Sequence, residues 1–380
     1  GKPYVFFEGP PSANGLPGVH HVLARTIKDI FPRYKTMKGY QVKRKAGWDT
    51  HGLPIELGVE KELGITKEDI GTKISIEDYN AACRKAVMRY TDIWNDLTEK
   101  MGYWVNMDDP YVTYQPKYME SVWWLLKQIY DKSLLYKGYT IQPYSPKAGT
   151  GLSSHELNQP GTYQDVTDTT IVAQFKTVAD SLPNFLSQDT PVYFLAWTTT
   201  PWTLPSNTAL TVGPKIDYVL VNSFNQYTFE PISVVLAKSL VTKQFSGKYY
   251  EVDHNEELDF SSIDKKIPYQ IVKSFKGKDL VGIRYEQLLD YVLPHDHPEN
   301  AFRVISGDFV TTEDGTGIVH TAPTFGADDA LVAKQAEPEV PPMLVKDENG
   351  NLVPLVDLQG KFRSEVTEFA GRFVKNEYYE

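Results

Sequence analysis

The stretch PPSANGLPGVHH, residues 10–21, places two adjacent histidines at the junction between a turn-rich loop and a helical pattern. Upstream, residues 4–7 form an aromatic and β-branched run ending at Glu8, and this composition predicts a buried strand. Downstream, apolar residues recur at helical spacing over residues 19–30, and Pro32 predicts a kink or an end of that helix. The sequence therefore predicts a strand, a Gly/Pro loop and a helix in this order, as in an α/β fold.

His20 and His21 would lie in the first turn of this helix, where free N–H groups and the helix dipole favour an anion. A nucleotide-binding α/β fold places phosphate at such a point, and imidazoles there can donate hydrogen bonds to a phosphoryl group. The alternative is an ordinary loop before a helix, with two histidines of no special role. Glycine-rich phosphate signatures do not decide the matter, because no GxxxxGK[ST] occurs and GTGIVH at 315–320 is too short for GxGxxG.

Composition limits the class of protein. A chain of 380 residues with 41% hydrophobic content can bury a sizeable core and is expected to form about two or three domains. The single cysteine, Cys83, excludes a disulfide framework and any multi-cysteine zinc site. No apolar run approaches the ~18 residues that span a bilayer, and the first residues lack the form of a signal peptide. We therefore expect a soluble, cytoplasmic protein with no membrane partner.

The net charge of −10 argues weakly against a protein that coats nucleic acid. Local charge differs from this average, because the segment KTMKGYQVKRKAGWD at 35–49 is crowded with lysine and arginine. Such a cluster fits either a local nucleic-acid contact or a solvated basic face.

The chain changes character along its length. Residues 76–136 carry long helical patterns, and their aromatic stripe predicts core positions for Trp94, Trp104, Trp123 and Trp124. A Gly/Pro/Ser-rich passage follows, and we assign residues 137–160 to a connector or ribbon. Strand-like runs dominate residues 161–380, which are therefore predicted to form a β-rich domain. These runs are TTIVAQF, PVYFLAW, DYVLVN, ISVVLA, FRVISGDFV and GTGIVHTA.

Three further stretches carry possible chemistry. In GWDTHGLPIE, 47–56, Asp49 either binds an ammonium group or caps a turn. In AWTTTPWTLPSNTAL, 196–210, two proline-broken turns indicate a polar pocket wall, although β-propensity alone also explains a threonine cluster. In GTGIVHTAPTFGADDA, 315–330, a histidine and two aspartates either orient a water or an amine, or serve as a helix N-cap. The threonines of the second stretch are Thr198, Thr199, Thr200 and Thr203, and the histidine and aspartates of the third stretch are His320, Asp328 and Asp329.

The order of these four blocks resembles the isoleucyl-tRNA synthetases, a family of class I aminoacyl-tRNA synthetases. The resemblance extends over essentially all 380 residues and corresponds to the early part of such enzymes. It implies a Rossmann-like catalytic half over residues 1–160 and an inserted β-rich editing domain over 161–380. It also implies ATP-dependent attachment of isoleucine to tRNA(Ile) through an isoleucyl-adenylate, with hydrolytic editing of misactivated valine or valyl-tRNA. ATP with Mg²⁺ would be a substrate, and no zinc or other metal site is expected in this segment.

In the synthetic half, the resemblance implies that Pro10 and Asp49 line the isoleucine pocket, with Asp49 on the substrate amino group. Gly18, His20 and His21 would form the ATP-binding signature, and the two histidines would take part in catalysis.

In the editing half, the resemblance implies that the four threonines line a pocket for the misattached amino acid. Asp329 would bind the amino group of that residue, and His320 would position the ester or the attacking water.

The chain departs from the family pattern in two ways. The usual His-x-Gly-His signature stands here as Gly18-Val-His20-His21. Residues 18 and 20 lie about 200° apart on a regular helix, but they face the same side if the chain is extended at Gly18. The chain also lacks a Lys-Met-Ser-Lys-Ser-type loop and an anticodon-binding region, so we expect it to be part of a longer enzyme.

Two rival functions belong to other classes. A free-standing deacylase would lack organised ATP chemistry in the first 150 residues, and a non-catalytic tRNA- or nucleotide-binding module would depend on Asp329 only for affinity.

Overall fold

The computed structural model describes residues 1–7, 9–138, 140–253, 256–260 and 266–375. The chain divides into two compact units, Gly1–Gly138 and Tyr139–Glu380. The elements of the first unit are α1 (Val19–Met37), β1 (Lys45–Trp48), α2 (Leu53–Leu63), α3 (Ile76–Val87), α4 (Thr91–Lys100), β2 (Asn106–Val112) and α5 (Pro116–Asp131).

Strands β1 and β2 of the first unit pair in parallel, with Trp48 opposite Val112. A parallel pair needs a long crossover, and helices α2, α3 and α4 supply it. Trp48 and Val112 pack with Ala13 and Trp94 in one buried cluster. This arrangement confirms the predicted α/β class of the first part of the chain.

The start of the chain differs from its predicted structure at two places. Residues 4–7 do not form a buried strand, because Phe7 is 91% exposed and the only backbone pairing nearby in the described part is an isolated bridge between Pro3 and Gln41. The predicted end of that strand, Glu8, lies outside the described residues. Of the two alternatives predicted at Pro32, an end of the helix is wrong, because α1 continues to Met37, and the kink stays a prediction. The Pro32 carbonyl accepts hydrogen bonds from Thr36 Oγ1 and Arg44, which stabilise the turn beyond the proline.

The predicted aromatic core is only partly confirmed. Trp94 is 2% exposed, but Trp104 is 45% exposed, and Trp123 and Trp124 on α5 are 65% and 61% exposed. None of the α5 residues is buried, so an apolar helical stripe here is not a sign of packing within the described residues. The prediction failed because periodicity identifies an apolar face without identifying what covers it.

The second unit is rich in short strands. Its elements are β3 (Tyr144–Ser145), β4 (Thr150–Gly151), α6 (Ser154–Leu157), β5 (Ile171–Lys176), β6 (Val192–Thr198), β7 (Ala209–Val212), β8 (Asp217–Phe224), β9 (Pro231–Ala237), α7 (Val241–Gln244), β10 (Tyr249–Glu251), β11 (Ile267–Lys276), β12 (Arg303–Ser306), β13 (Ile318–Thr321), α8 (Ala327–Gln335), β14 (Val345–Lys346) and β15 (Leu352–Val353).

A large mixed sheet forms the body of this unit, with the strand order β10-β11-β8-β9-β6-β5 among the described residues. A smaller sheet has the order β12-β7-β13, and its register places His320 opposite Leu210. The sheets share a core in which Phe175, Phe194 and Leu220 are completely buried. The β-rich character predicted for the second part is confirmed, and each of the six predicted strand-like runs contains a strand. Within the predicted connector, β3 and β4 pair as a short antiparallel ribbon.

Candidate active sites

The loop before α1 is fixed to the body of the first unit by hydrogen bonds along its length. The Pro11 carbonyl accepts from the Asp49 backbone N–H at 2.9 Å, and the Gly15 carbonyl accepts from Trp94 Nε1 at 2.9 Å. Ala13 is completely buried between these two anchors. The position of the helix N-terminus is therefore set by the buried tryptophan and by the end of β1.

The first turn of α1 holds His21 as a neutral hydrogen-bond donor. Gly18 is the N-cap, and its backbone N–H donates to His21 Nδ1 at 2.9 Å. Burial lowers the pKa of His21, and the charges of neighbouring His20 and Arg25 lower it further. With Nδ1 accepting, the proton of the neutral ring lies on Nε2. His21 therefore offers one N–H for an anion at the helix N-terminus.

The imidazole of His20 lies beside residue 18. Gly18 is extended, with φ −107° and ψ 171°, and the helix begins at Val19. A Cβ placed on Gly18 would come within 2.9 Å of His20 Cε1 and Nδ1. The ring of His20 thus occupies the space where a side chain at position 18 would begin.

The two residues assigned by resemblance to the isoleucine pocket differ in their relation to the small cavity of the first unit. Pro10 lines a small cavity of about 50 Å³ together with Arg25 and Trp48, whereas Asp49 is not among the lining residues. Asp49 Oδ1 accepts from the His51 backbone N–H at 3.3 Å, which is the turn contact considered as the alternative. His51 in turn contacts Thr113 Oγ1 through Nδ1 at 2.9 Å.

In the second unit, the sequence-predicted residues meet around one large cavity of about 990 Å³. They come from the end of β6, the following loop and 3₁₀ helix Pro201–Ser206, the strand β13 and the first turn of α8. The lining includes Thr198, Thr199, Thr200, Thr203, His320 and Asp329. Residues more than a hundred positions apart in sequence therefore share one wall.

The threonines are ordered by hydrogen bonds to one another. Thr198 Oγ1 accepts from the Thr200 backbone N–H at 3.0 Å, and Thr203 Oγ1 donates to the Thr200 carbonyl at 2.9 Å. Thr198 and Thr203 are both buried. The proline-broken segment thus forms the polar wall that its sequence indicated.

His320 is buried in this wall and is held at both ring nitrogens. Its Nε2 lies 2.9 Å from Thr203 Oγ1, and its Nδ1 lies 2.8 Å from Asn207 Nδ2. Burial lowers the pKa of His320 to about 4, so the ring is neutral at pH 7. The Tyr285 hydroxyl donates to Asn207 Oδ1 at 2.6 Å and completes this buried set.

Sequence reasoning missed Asn207 and Tyr285. Asn207 stands inside the threonine-rich block, two residues before strand β7, and a polar residue there was a usable signal. Tyr285 gave no such sequence signal, because it lies in a stretch without a motif and is brought to the site only by folding of the chain.

Asp329 faces the same cavity from the first turn of α8. Its Oδ2 accepts from the Ala322 backbone N–H at 2.9 Å, across the turn that joins β13 to α8. Burial raises the pKa of Asp329, the hydrogen bond from Ala322 lowers it, and the charge of Asp328 raises it. The N-cap of α8 is Gly326 without a side-chain capping bond, so the capping alternative does not describe either aspartate. A half-buried carboxylate with a raised pKa is suited to receive a cation.

Neither a metal centre nor a membrane segment is found in the part of the chain that the structure describes. No group of three or more His, Cys, Asp or Glu side chains there could hold a metal ion. No helix there is long and apolar enough to cross a bilayer.

Comparisons with known proteins show the family to which the chain belongs. The family model described as tRNA synthetases class I (I, L, M and V) matches residues 1–339. An isoleucine–tRNA ligase of Bacteroides fragilis is 63% identical over 391 residues, covering 99% of this chain and 33% of that protein. One of Cytophaga hutchinsonii is 63% identical over 375 residues, with the same coverages of 99% and 33%. The solved structure of GlLeuRS-CP1 matches with a TM-score of 0.35 and 16% identity, covering 55% of this chain and 92% of that one.

The chain thus spans about a third of the length of the curated relatives that it matches. The family model covers well over half of the chain. The chain therefore belongs to the class I tRNA synthetases of the I, L, M and V group.

Proposed function

We propose that this chain is the part of an isoleucyl-tRNA synthetase that contains the ATP signature and the hydrolytic editing site. The names of the relatives, isoleucine–tRNA ligases at 63% identity, support isoleucine as the amino acid and tRNA(Ile) as the acceptor. The single observation that carries the editing half is the meeting of Thr203, His320 and Asp329 around one cavity of about 990 Å³.

The first unit would take part in adenylate formation. In that step the carboxylate of isoleucine attacks the α-phosphorus of ATP, and pyrophosphate leaves with the electrons of the broken P–O bond. The helix N-terminus and the Nε2–H of His21 supply donors for phosphate oxygens, with His20 beside them. ATP enters with Mg²⁺ as a substrate. Pro10 and Asp49 are our candidates for the isoleucine contacts, with the Asp49 carboxylate on the amino group.

The second unit would hydrolyse the ester between tRNA and the wrong amino acid. Water adds to the ester carbonyl, the bond to the ribose oxygen breaks, and that oxygen takes a proton, releasing valine and free tRNA. Asp329 is our candidate for the amino group, because its half-buried carboxylate gains most from a cationic partner. The four threonines and His320 would shape the pocket around the acyl group.

Two sites are needed because one methylene carries little binding energy. Isoleucine and valine differ by one methylene, which is worth only ~1–3 kcal/mol in an apolar pocket, and this pair is the standard example of that limit. A first pocket sized for isoleucine therefore admits valine, and a second, hydrolytic site removes it.

Substitution of Asp329 tests the editing assignment. In the 380-residue chain we expect Asp329→Ala to slow hydrolysis of valyl-tRNA(Ile) by roughly 30-fold or more, because losing one side of a buried charged pair costs ~2–5 kcal/mol. The measurement is release of valine from charged tRNA(Ile) under single-turnover conditions, with isoleucyl-tRNA(Ile) assayed in parallel.

Asp328→Ala is the matched control, because Asp328 is the adjacent aspartate and is exposed. It should keep most of the hydrolysis and the preference for valyl-tRNA. Equal rates for Asp329→Ala and the unsubstituted chain, or equal losses in both variants, would remove Asp329 from its assigned role.

A further inference from the structure

The amide of Asn207 has one orientation that satisfies its surroundings. One end of the amide lies 2.8 Å from the Ala209 carbonyl and 3.4 Å from the Thr321 carbonyl. Because carbonyl oxygens only accept, the atom that faces them must be the NH₂ group. The amide oxygen at the other end accepts from the Tyr285 hydroxyl at 2.6 Å.

This orientation determines where the proton of His320 lies. The NH₂ group of Asn207 also faces His320 Nδ1 at 2.8 Å, so Nδ1 must accept. A neutral ring that accepts at Nδ1 carries its proton on Nε2. The Nε2–H then donates to Thr203 Oγ1 at 2.9 Å, whose own proton is committed to the Thr200 carbonyl at 2.9 Å.

We propose that Asn207 is a positioning residue that holds His320 as the neutral Nε2–H tautomer, so that His320 serves as a fixed donor to Thr203 and not as a general base. Neither ring nitrogen then has a lone pair free to take a proton from water. Thr203 receives one hydrogen bond and gives one, so towards the cavity it offers only an acceptor. A donor such as the attacking water or a ribose hydroxyl fits that acceptor. The catalytic part of this inference rests on the proposed editing function.

Nitrogen NMR on the 380-residue chain tests the tautomer without any assay of activity. With ¹⁵N-labelled histidine, we expect His320 to show a protonated, pyrrole-type Nε2 and an unprotonated, pyridine-type Nδ1 at pH 7. The signals are assigned by their loss in His320→Gln. A protonated Nδ1 or an imidazolium ring in the unsubstituted chain would overturn the proposal.

Asn207→Asp replaces the donating NH₂ group that faces His320 by an accepting oxygen, while the side chain keeps nearly the same shape. A carboxylate accepts only, so the His320 proton should move to Nδ1, and Nε2 should become an acceptor. We expect valyl-tRNA(Ile) hydrolysis to fall roughly 5- to 150-fold, the range for a buried polar group left unsatisfied. Asn222→Asp is the matched control, because Asn222 lies on β8 outside the cavity lining and pairs with Ser233.

The outcomes separate the two proposals. If Asn207→Asp moves the proton and hydrolysis is unchanged, the positioning role is overturned and editing stands. If the unsubstituted chain does not hydrolyse valyl-tRNA(Ile), the editing function fails in this chain, and the ¹⁵N signals still decide the tautomer. If Asn222→Asp lowers hydrolysis as much as Asn207→Asp, the loss is a general effect of added charge and the positioning role is overturned.

Discussion

At the scale of single residues, Gly18 and His20 illustrate how backbone conformation decides the meaning of a motif. A histidine at position 20 could replace one at 18 only if the chain were extended there, and the sequence alone left this open. The N-cap conformation of Gly18 is extended, and the His20 ring lies where a Cβ at position 18 would be. The absence of a side chain at 18 is therefore what makes room for the imidazole.

This geometry predicts a specific effect of Gly18→Ala in the full-length enzyme. The new methyl group must displace the His20 ring, whereas the helix itself should lose less than about 1 kcal/mol, since alanine tolerates the extended N-cap backbone. We expect kcat/KM for ATP in ATP–pyrophosphate exchange to fall by roughly 100-fold, the lower end of the range for loss of one transition-state donor.

Gly15→Ala is the control for the same chemical change in the same loop. A Cβ at Gly15 meets no atom within 4 Å, so exchange should stay near the unsubstituted rate. If Gly18→Ala matched this control, the position of the His20 ring would have no bearing on ATP chemistry.

At the scale of elements, the sequence predicted strands well where burial and β-branching coincide. Strand β9, PISVVLA, is buried over most of its length, and its composition already indicated a strand. Strand β11 was not predicted, because the second half of IPYQIVKSFK is charged and largely exposed. Residues 4–7 have a strand composition but lack a partner strand in the described part, and a strand needs a neighbour to exist.

The tryptophans of the first unit give a prediction at this scale. Trp94 on α4 is 2% exposed and its Nε1 donates to Gly15, so Trp94→Ala should cost the first unit about 3–5 kcal/mol. Trp123 on α5 is 65% exposed, so Trp123→Ala should change the free energy of unfolding by less than about 0.5 kcal/mol. Urea unfolding of the 380-residue chain, followed by circular dichroism, measures both values. Similar losses in the two variants would mean that α5 packs in a way that these exposures do not reflect.

At the scale of the whole molecule, the sequence predicted which segments contribute to the candidate editing site, but not the hydrogen bonds that connect its side chains. The threonine-rich block and the Gly-framed His320 and Asp329 were recognisable because each lies in its own short motif. Asn207 contacts His320, and Tyr285 contacts Asn207 from a third segment, and hydrogen bonds between distant segments leave no local pattern. The tautomer of a buried histidine is therefore a property of the folded unit.

The same burial makes the stability of the second unit depend on pH. The pKa of His320 is lowered from 6.5 to about 4 in the folded state. Between pH 4 and pH 6.5 the ring is therefore mostly protonated in the unfolded chain and mostly neutral in the folded one. Stability must then fall as the pH falls through this window, and linkage gives a loss of about 2 kcal/mol between pH 7 and pH 5 from this residue. The side chain in His320→Gln cannot titrate, so its free energy of unfolding in urea should fall by about 2 kcal/mol less between pH 7 and pH 5 than that of the unsubstituted chain.

His155→Gln, which removes an exposed imidazole from the same unit, is the control. If His320→Gln kept the full pH dependence of the unsubstituted chain, His320 would not exclude the proton in the folded state, and equal flattening by His155→Gln would mean that the effect is not specific to His320.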